Sequence, residues 1–201
     1  MSTTYLLVPD FSDLAPYLSP LPGVAIIPVE PKRRGDAFTP WPAVIPALHG
    51  GGRFGGKADA YLDKLMKTIP TDGKLGILGV SLGGLFAVYA TITHPVFSFC
   101  ASISGSFWYP GWTTWLVDQP IPQTSYYFCS GENEGRGRKD ELRESRTATD
   151  FTSTTLRGTY QTDPYGHMHA LDVRMEQTLS WIQSQLSPVT PSPSVHNRSG
   201  S

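Results

Sequence analysis

Lys74-Leu75-Gly76-Ile77-Leu78-Gly79-Val80-Ser81-Leu82-Gly83-Gly84-Leu85-Phe86-Ala87-Val88-Tyr89-Ala90 is an apolar run, a serine framed by glycines, and a second apolar run. It reads as strand, sharp turn and helix, with Ser81 at the apex. The G-x-S-x-G spacing of Gly79, Ser81 and Gly83 suits such a turn, because only small residues two before and two after the serine avoid a clash. The serine hydroxyl then stands exposed at a helix N-terminus, where backbone N–H groups can hold developing negative charge. The bare five-residue pattern carries little weight. Its flanking strand and helix make Ser81 a candidate nucleophile.

Outward from this turn, short β-like runs alternate with helix-like ones. Strands are expected at residues 5–8, 24–29, 75–78, 97–103, 125–129 and 155–161. Helical periodicity covers 58–69, 82–91, 139–152 and 170–186, the last with Leu171, Met175, Leu179, Ile182 and Leu186 on one stripe. Residues 11–18 form a short helical or irregular crossover, and 31–45 a long Pro-rich basic loop. Such alternation predicts an α/β fold, a compact doubly wound and mostly parallel sheet of about six strands with helices on both faces. Ligands bind beyond the strand C-termini of such sheets, where Ser81 lies. Residues 1–187 make one domain, and 188–201, rich in Ser and Pro, read as a disordered tail.

At 201 residues the chain suits one domain with a substantial core, and its net charge of −1 argues against nucleic acid or an acidic membrane surface as partner. No apolar stretch approaches the roughly 20 residues that span a bilayer. Met1-Ser2-Thr3-Thr4 lacks a basic leader, so a cytoplasmic location is expected. Cys100 and Cys129 sit inside apolar strand-like runs and read as buried free thiols rather than a disulfide. With His167 and His169 they offer no tetrahedral metal set, so no metal or cofactor is expected.

A serine hydroxyl needs a base, and the base an orienting acid; in hydrolase-type sheets the chain order is Ser, acid, His. His49 precedes the serine, His94 caps the helix after it, and His196 lies in the tail. His167 and His169, between the last strand and last helix, remain, and His167 is favoured because Gly166 frees the loop. The acid belongs after the strand ending at Cys129, where Glu132 and Glu134 stand; Glu134 is slightly favoured, with Asp163 a third option and a Ser–His dyad the alternative. Two glycine-rich matches are set aside. His49-Gly50-Gly51-Gly52 copies a lipase oxyanion motif but lies only one helix before the serine strand. Gly51 to Lys57 fits a phosphate loop, yet Ala58 replaces the Ser or Thr that would hold Mg²⁺. The oxyanion donors are expected at the Leu82 N–H and in the loop after the first strand, at Pro9-Asp10-Phe11, with Phe11 as the choice there, or near Arg34.

These residues resemble the "putative esterase" family of α/β-hydrolases, with its siderophore-esterase, feruloyl-esterase and esterase D-like members. The likeness rests on Arg34-Gly35-Asp36-Ala37-Phe38-Thr39-Pro40, Gly55-Gly56-Lys57-Ala58-Asp59-Ala60-Tyr61-Leu62, the elbow from Gly79 to Phe86, Ser102-Ile103-Ser104-Gly105-Ser106-Phe107-Trp108, and Gly166-His167-Met168-His169-Ala170-Leu171. It departs at Val80, where histidine is common, and at Gly105, which replaces a proline. It implies that the sequence opens at the third strand of larger relatives.

Together these readings predict a serine hydrolase that cleaves a small-molecule carboxylic ester through an acyl-enzyme. A thioesterase or acyltransferase is the alternative, and a catalytically silent binding module the non-enzyme one. Arg34 is a candidate for a carboxylate or hydroxyl-rich substrate. Phe107, Trp108, Tyr109, Trp112 and Trp115 are candidates for an apolar pocket wall, with Trp108 and Trp112 as the substrate contacts; Trp112 and Trp115, beside Pro110 and Gly111, read as more exposed. Oligomeric state is left open, a homodimer included.

Overall fold

The computed structural model describes residues 3–46 and 52–186. Its strands are β1 (Thr4–Pro9), β2 (Val24–Val29), β3 (Pro42–Val44), β4 (Arg53–Gly55), β5 (Lys74–Val80), β6 (Phe99–Ile103), β7 (Ser125–Gly131) and β8 (Thr159–Asp163). The helices are α1 (Phe11–Leu14), α2 (Arg34–Ala37), α3 (Ala58–Met66), α4 (Leu82–Thr93), α5 (Trp112–Val117), α6 (Ser145–Thr155) and α7 (Leu171–Leu186). Six strands form one sheet in the order β2-β1-β5-β6-β7-β8, every neighbouring pair parallel. The chain thus has the expected α/β architecture, a parallel six-stranded sheet with helices on both faces.

The strands read as continuous apolar runs because both faces of the sheet are covered. Period-two alternation sends Leu75 and Ile77 of β5 to one core and Leu78 and Val80 to the other. Cys100 of β6 joins the first core, while Phe99, Ala101 and Ile103 join the second. The first core receives Ala58 and Leu62 of α3 and most of α4; the second receives Leu171, Met175, Leu179 and Ile182 of α7. Nearly every residue of α4 is buried, as its unbroken apolar sequence requires. Truncating one of its large side chains, Phe86 to alanine, is expected to cost about 3–5 kcal/mol.

Several expectations shift. The last strand lies at Thr159–Asp163 rather than 155–161, because α6 continues through Thr155. Its run of β-branched residues looks strand-like, but Ala148, Thr149, Thr152 and Ser153 make a buried helical stripe. The hydroxyls of Thr152 and Thr155 return to the carbonyls of Ala148 and Phe151, so tertiary burial overrides propensity. The 31–45 segment is no plain loop: it holds α2 and β3, and β3 pairs antiparallel with β4 outside the main sheet. Helix α5 lies in a stretch to which the sequence reading assigned no element. His49, the glycines at 50 and 51, and the tail at 188–201 with His196 fall outside the described residues. Among the described residues no helix is long and apolar enough to cross a membrane.

Candidate active site

Ser81 sits between β5 and α4 with φ 56° and ψ −119°, a backbone conformation that non-glycine residues rarely adopt. Holding it costs on the order of 1–3 kcal/mol, supplied by the surrounding structure. A Cβ on Gly79 would lie 2.1 Å from the Gly83 carbonyl oxygen, so only glycine lets the strand approach the helix this closely. The apex is pinned by neighbouring backbone: the Ser81 N–H donates to the Ile103 carbonyl (2.9 Å), and the Ser106 N–H donates to the Ser81 carbonyl (3.0 Å).

Glu134 lies just past β7, and His167 in the loop between β8 and α7. Ser81 Oγ is 3.0 Å from His167 Nε2, and His167 Nδ1 is 2.9 Å from Glu134 Oε2. An ionised carboxylate only accepts, so the imidazole proton resides on Nδ1 and the bare Nε2 accepts from the serine hydroxyl. The other oxygen, Glu134 Oε1, accepts from Ser104 Oγ (2.7 Å), the Gly131 N–H (2.8 Å) and Arg174 Nη1 (3.1 Å). Burial opposes ionisation of Glu134, but the hydrogen bond from His167, with the Ser104 and Gly131 donors, outweighs it and holds the carboxyl below its ordinary value.

The other candidates separate from this arrangement. Glu132 is exposed and accepts from Thr162 Oγ1. Asp163 forms a two-pronged ion pair with Arg174 at 2.6 and 2.8 Å, and that hydrogen bonding lowers its carboxyl. His169 is exposed. His94 is the C-cap of α4 and pairs with Asp63 at 3.7 Å. Both cysteines are buried and free; burial pushes Cys129 up to about 12.

Ser81 opens into a cavity of about 430 Å³ whose walls include Arg34, Phe54, Trp108, Arg138 and Leu142. Leu82 also lines it, and as the first residue of α4 its N–H has no intrahelical acceptor. Arg34 reaches the cavity while bonded to both carboxylate oxygens of Asp10, at 2.7–3.2 Å. The turn carrying Asp10 packs on the elbow, since a Cβ on Gly83 would lie 3.2 Å from Pro9 Cβ. Phe11 begins α1 in that turn, and its side chain packs on the second core rather than lining the cavity. The neighbouring Asp10 N–H is committed to the Val29 carbonyl.

Trp112 does not reach the cavity, contrary to expectation. It is 0 % exposed, its Nε1 donates to Thr152 Oγ1 (2.9 Å), and it packs on Phe107 and Trp115. The turn at Pro110-Gly111 starts α5, which aims Trp112 into the first core. Phe107 and Tyr109 are likewise buried there, leaving Trp108 as the member of that aromatic run on the cavity wall.

Sequence reasoning missed Ser104, Arg174, Phe54, Arg138 and Leu142. Arg174 had a signal: it falls on the buried stripe of α7, three after Leu171 and one before Met175, where a cation is out of place.

Residues 59–186 match the model of the "Putative esterase" family. The chain belongs to that family. It is also 31% identical over 151 residues to the Bacillus subtilis (strain 168) protein named "Uncharacterized protein YbbA", covering 68% of this chain and 60% of that one. It therefore spans less than two thirds of that relative. An IroE-like serine hydrolase from Shewanella oneidensis superposes with TM-score 0.71 at 18% identity, over 91% of this chain and 71% of its own. The siderophore hydrolase EstA from Aspergillus nidulans gives TM-score 0.70 at 14% identity, over 92% and 84%. An acyl-protein thioesterase 2 from Zea mays gives 0.60 at 16%, over 92% and 94%. At these identities the esterase family shares its fold with both kinds of hydrolase.

Proposed function

We propose that the chain is a serine-dependent carboxylic ester hydrolase working on a small-molecule ester. The observation that carries this reading is the unbroken run Ser81 Oγ–His167 Nε2–Glu134 Oε2, at 3.0 and 2.9 Å, opening into the cavity.

In this reading Ser81 Oγ attacks the ester carbonyl carbon while its proton passes to His167 Nε2. Glu134 fixes the Nδ1–H tautomer and stabilises the imidazolium that forms. The Leu82 N–H, with the Phe11 N–H as second donor, holds the oxyanion; one such donor is worth about 10²–10³ in rate. His167 returns the proton to the departing alkoxide, and an alcohol leaves. Water then adds to the acyl-Ser81 carbonyl, giving its proton to His167, and the acid is released as Ser81 regains its proton. Arg34 and Trp108 face the substrate from the cavity wall.

A fluorophosphonate probe with matched p-nitrophenyl ester and thioester acyl series tests the reading. The wild type should label and hydrolyse esters, and Ser81→Ala should do neither. Equal labelling of Ser81→Ala, or no labelling of the wild type, defeats it, and a marked preference for the thioesters replaces the ester assignment.

A further inference from the structure

Arg174 is 1 % exposed, and its Nε, Nη1 and Nη2 all have acceptors. Nε and Nη2 grip Asp163 (2.6 and 2.8 Å), and Nη2 also reaches the Gly166 carbonyl (2.9 Å). Nη1 contacts Ser104 Oγ (2.6 Å), the His167 carbonyl (2.7 Å) and Glu134 Oε1 (3.1 Å). A Cβ on Gly131 would lie 2.0 Å from the Tyr165 carbonyl oxygen and 2.6 Å from Nη2, so glycine there leaves room for both. The Arg174 position on α7 belongs to an apolar stripe, where an aliphatic side chain would avoid the desolvation of a guanidinium. Packing alone therefore does not account for it.

We propose that Arg174 is a positioning residue for the ester-cleaving reaction, acting through the Glu134 carboxylate, which its Nη1 ties to the backbone of the His167 loop. The inference rests on the proposed function. Its physical basis is the planar fork, which spans two carboxylates, a hydroxyl and two carbonyls at once; a lysine has only three donors and no such geometry. Glu134 Oε1 is held while Oε2 stays free for the imidazole. Without the guanidinium, Glu134 Oε1 loses one of its three donors and the His167 carbonyl loses its tie to the same group, so carboxylate and imidazole no longer share one frame.

The test is a double-mutant cycle of Arg174→Lys and Glu134→Gln, read as kcat, KM and fluorophosphonate labelling rate, with circular dichroism reporting folding. Arg174→Lys is expected to lower kcat about tenfold or more with KM nearly unchanged, since small misplacements at a reacting centre are costly. In the Glu134→Gln background the same change should cost less than about threefold, because its route through the carboxylate is already lost. Equal losses in both backgrounds, or a rise in KM with kcat intact, overturn the inference. Should Arg174→Lys not fold, Asp163→Asn takes its place. It releases the far prong of the clamp without touching Ser81, His167 or Glu134, and is expected to lower kcat several-fold in the wild type but not in Glu134→Gln. An unchanged kcat, or an equal loss in Glu134→Gln, also overturns it. If Ser81→Ala retains turnover, the proposed function itself fails; if Ser81→Ala is dead and the cycle is additive, only the clamp fails.

Discussion

Replacing Glu134 with glutamine exchanges one oxygen for an NH2 group and should nearly silence the proposed ester hydrolysis. The amide must choose how to face its surroundings. Three donors converge where Oε1 now sits, from Ser104, Gly131 and Arg174, so the amide oxygen is held there. Its NH2 group then points at His167 Nδ1, which was a donor at 2.9 Å to the carboxylate. Two donors cannot share that contact, so the imidazole shifts its proton to Nε2 and can no longer accept from Ser81. The wrong tautomer and the missing anion together are expected to lower kcat by about 10³–10⁴, or about 4–5.5 kcal/mol of barrier. KM should change little, and the fold should survive because the three donors keep a partner. Steady-state hydrolysis of a p-nitrophenyl ester gives the rate, and nitrogen NMR of His167 reports the tautomer. A variant that keeps more than about a tenth of kcat while folded would refute the account.

The two tryptophans should part company. If the proposed hydrolysis holds, Trp108→Ala is expected to change its KM and acyl-chain preference in a folded protein, whereas Trp112→Ala should lose about 3–5 kcal/mol in urea denaturation; the reverse pattern would place them wrongly. Acid should destabilise the protein with a definite sign. Glu134 and Asp163 are held below ordinary values of 4.5 and 3.8, so the unfolded chain takes up protons first as pH falls. Their stabilisation is complete above that range and is lost as pH drops through the lower folded values. Urea midpoints measured down to about pH 3 should therefore decline, and Asp163→Asn should decline less steeply; an unchanged slope would remove Asp163 from the account. Cys100 and Cys129 should react with a thiol reagent only on unfolding, because burial raises both thiols; rapid native labelling would contradict their placement.

What could be read from sequence follows from range. The elbow is local: Gly79, Ser81 and Gly83 specify their own turn, and the apolar runs beside it specify strand and helix. Two-sided burial turned the alternating pattern into a parallel sheet, and chain order directed attention to Glu134 and His167, which the fold brings into hydrogen-bond contact with each other and with Ser81. The β-branched end of α6 misled because a strand and a buried helix use similar residues there.

The chain by itself therefore determined the fold, the elbow and a short set of partners, since short-range sterics and hydrophobic periodicity are written in neighbouring residues. Only the tertiary structure decided which carboxylate meets His167, that Trp112 is core, and that Arg174 joins Ser104, 70 positions away, to the same carboxylate. Hydrogen bonds between such distant positions leave no local periodicity to read. They exist only once the sheet has set the loops after β6, β7 and β8 side by side.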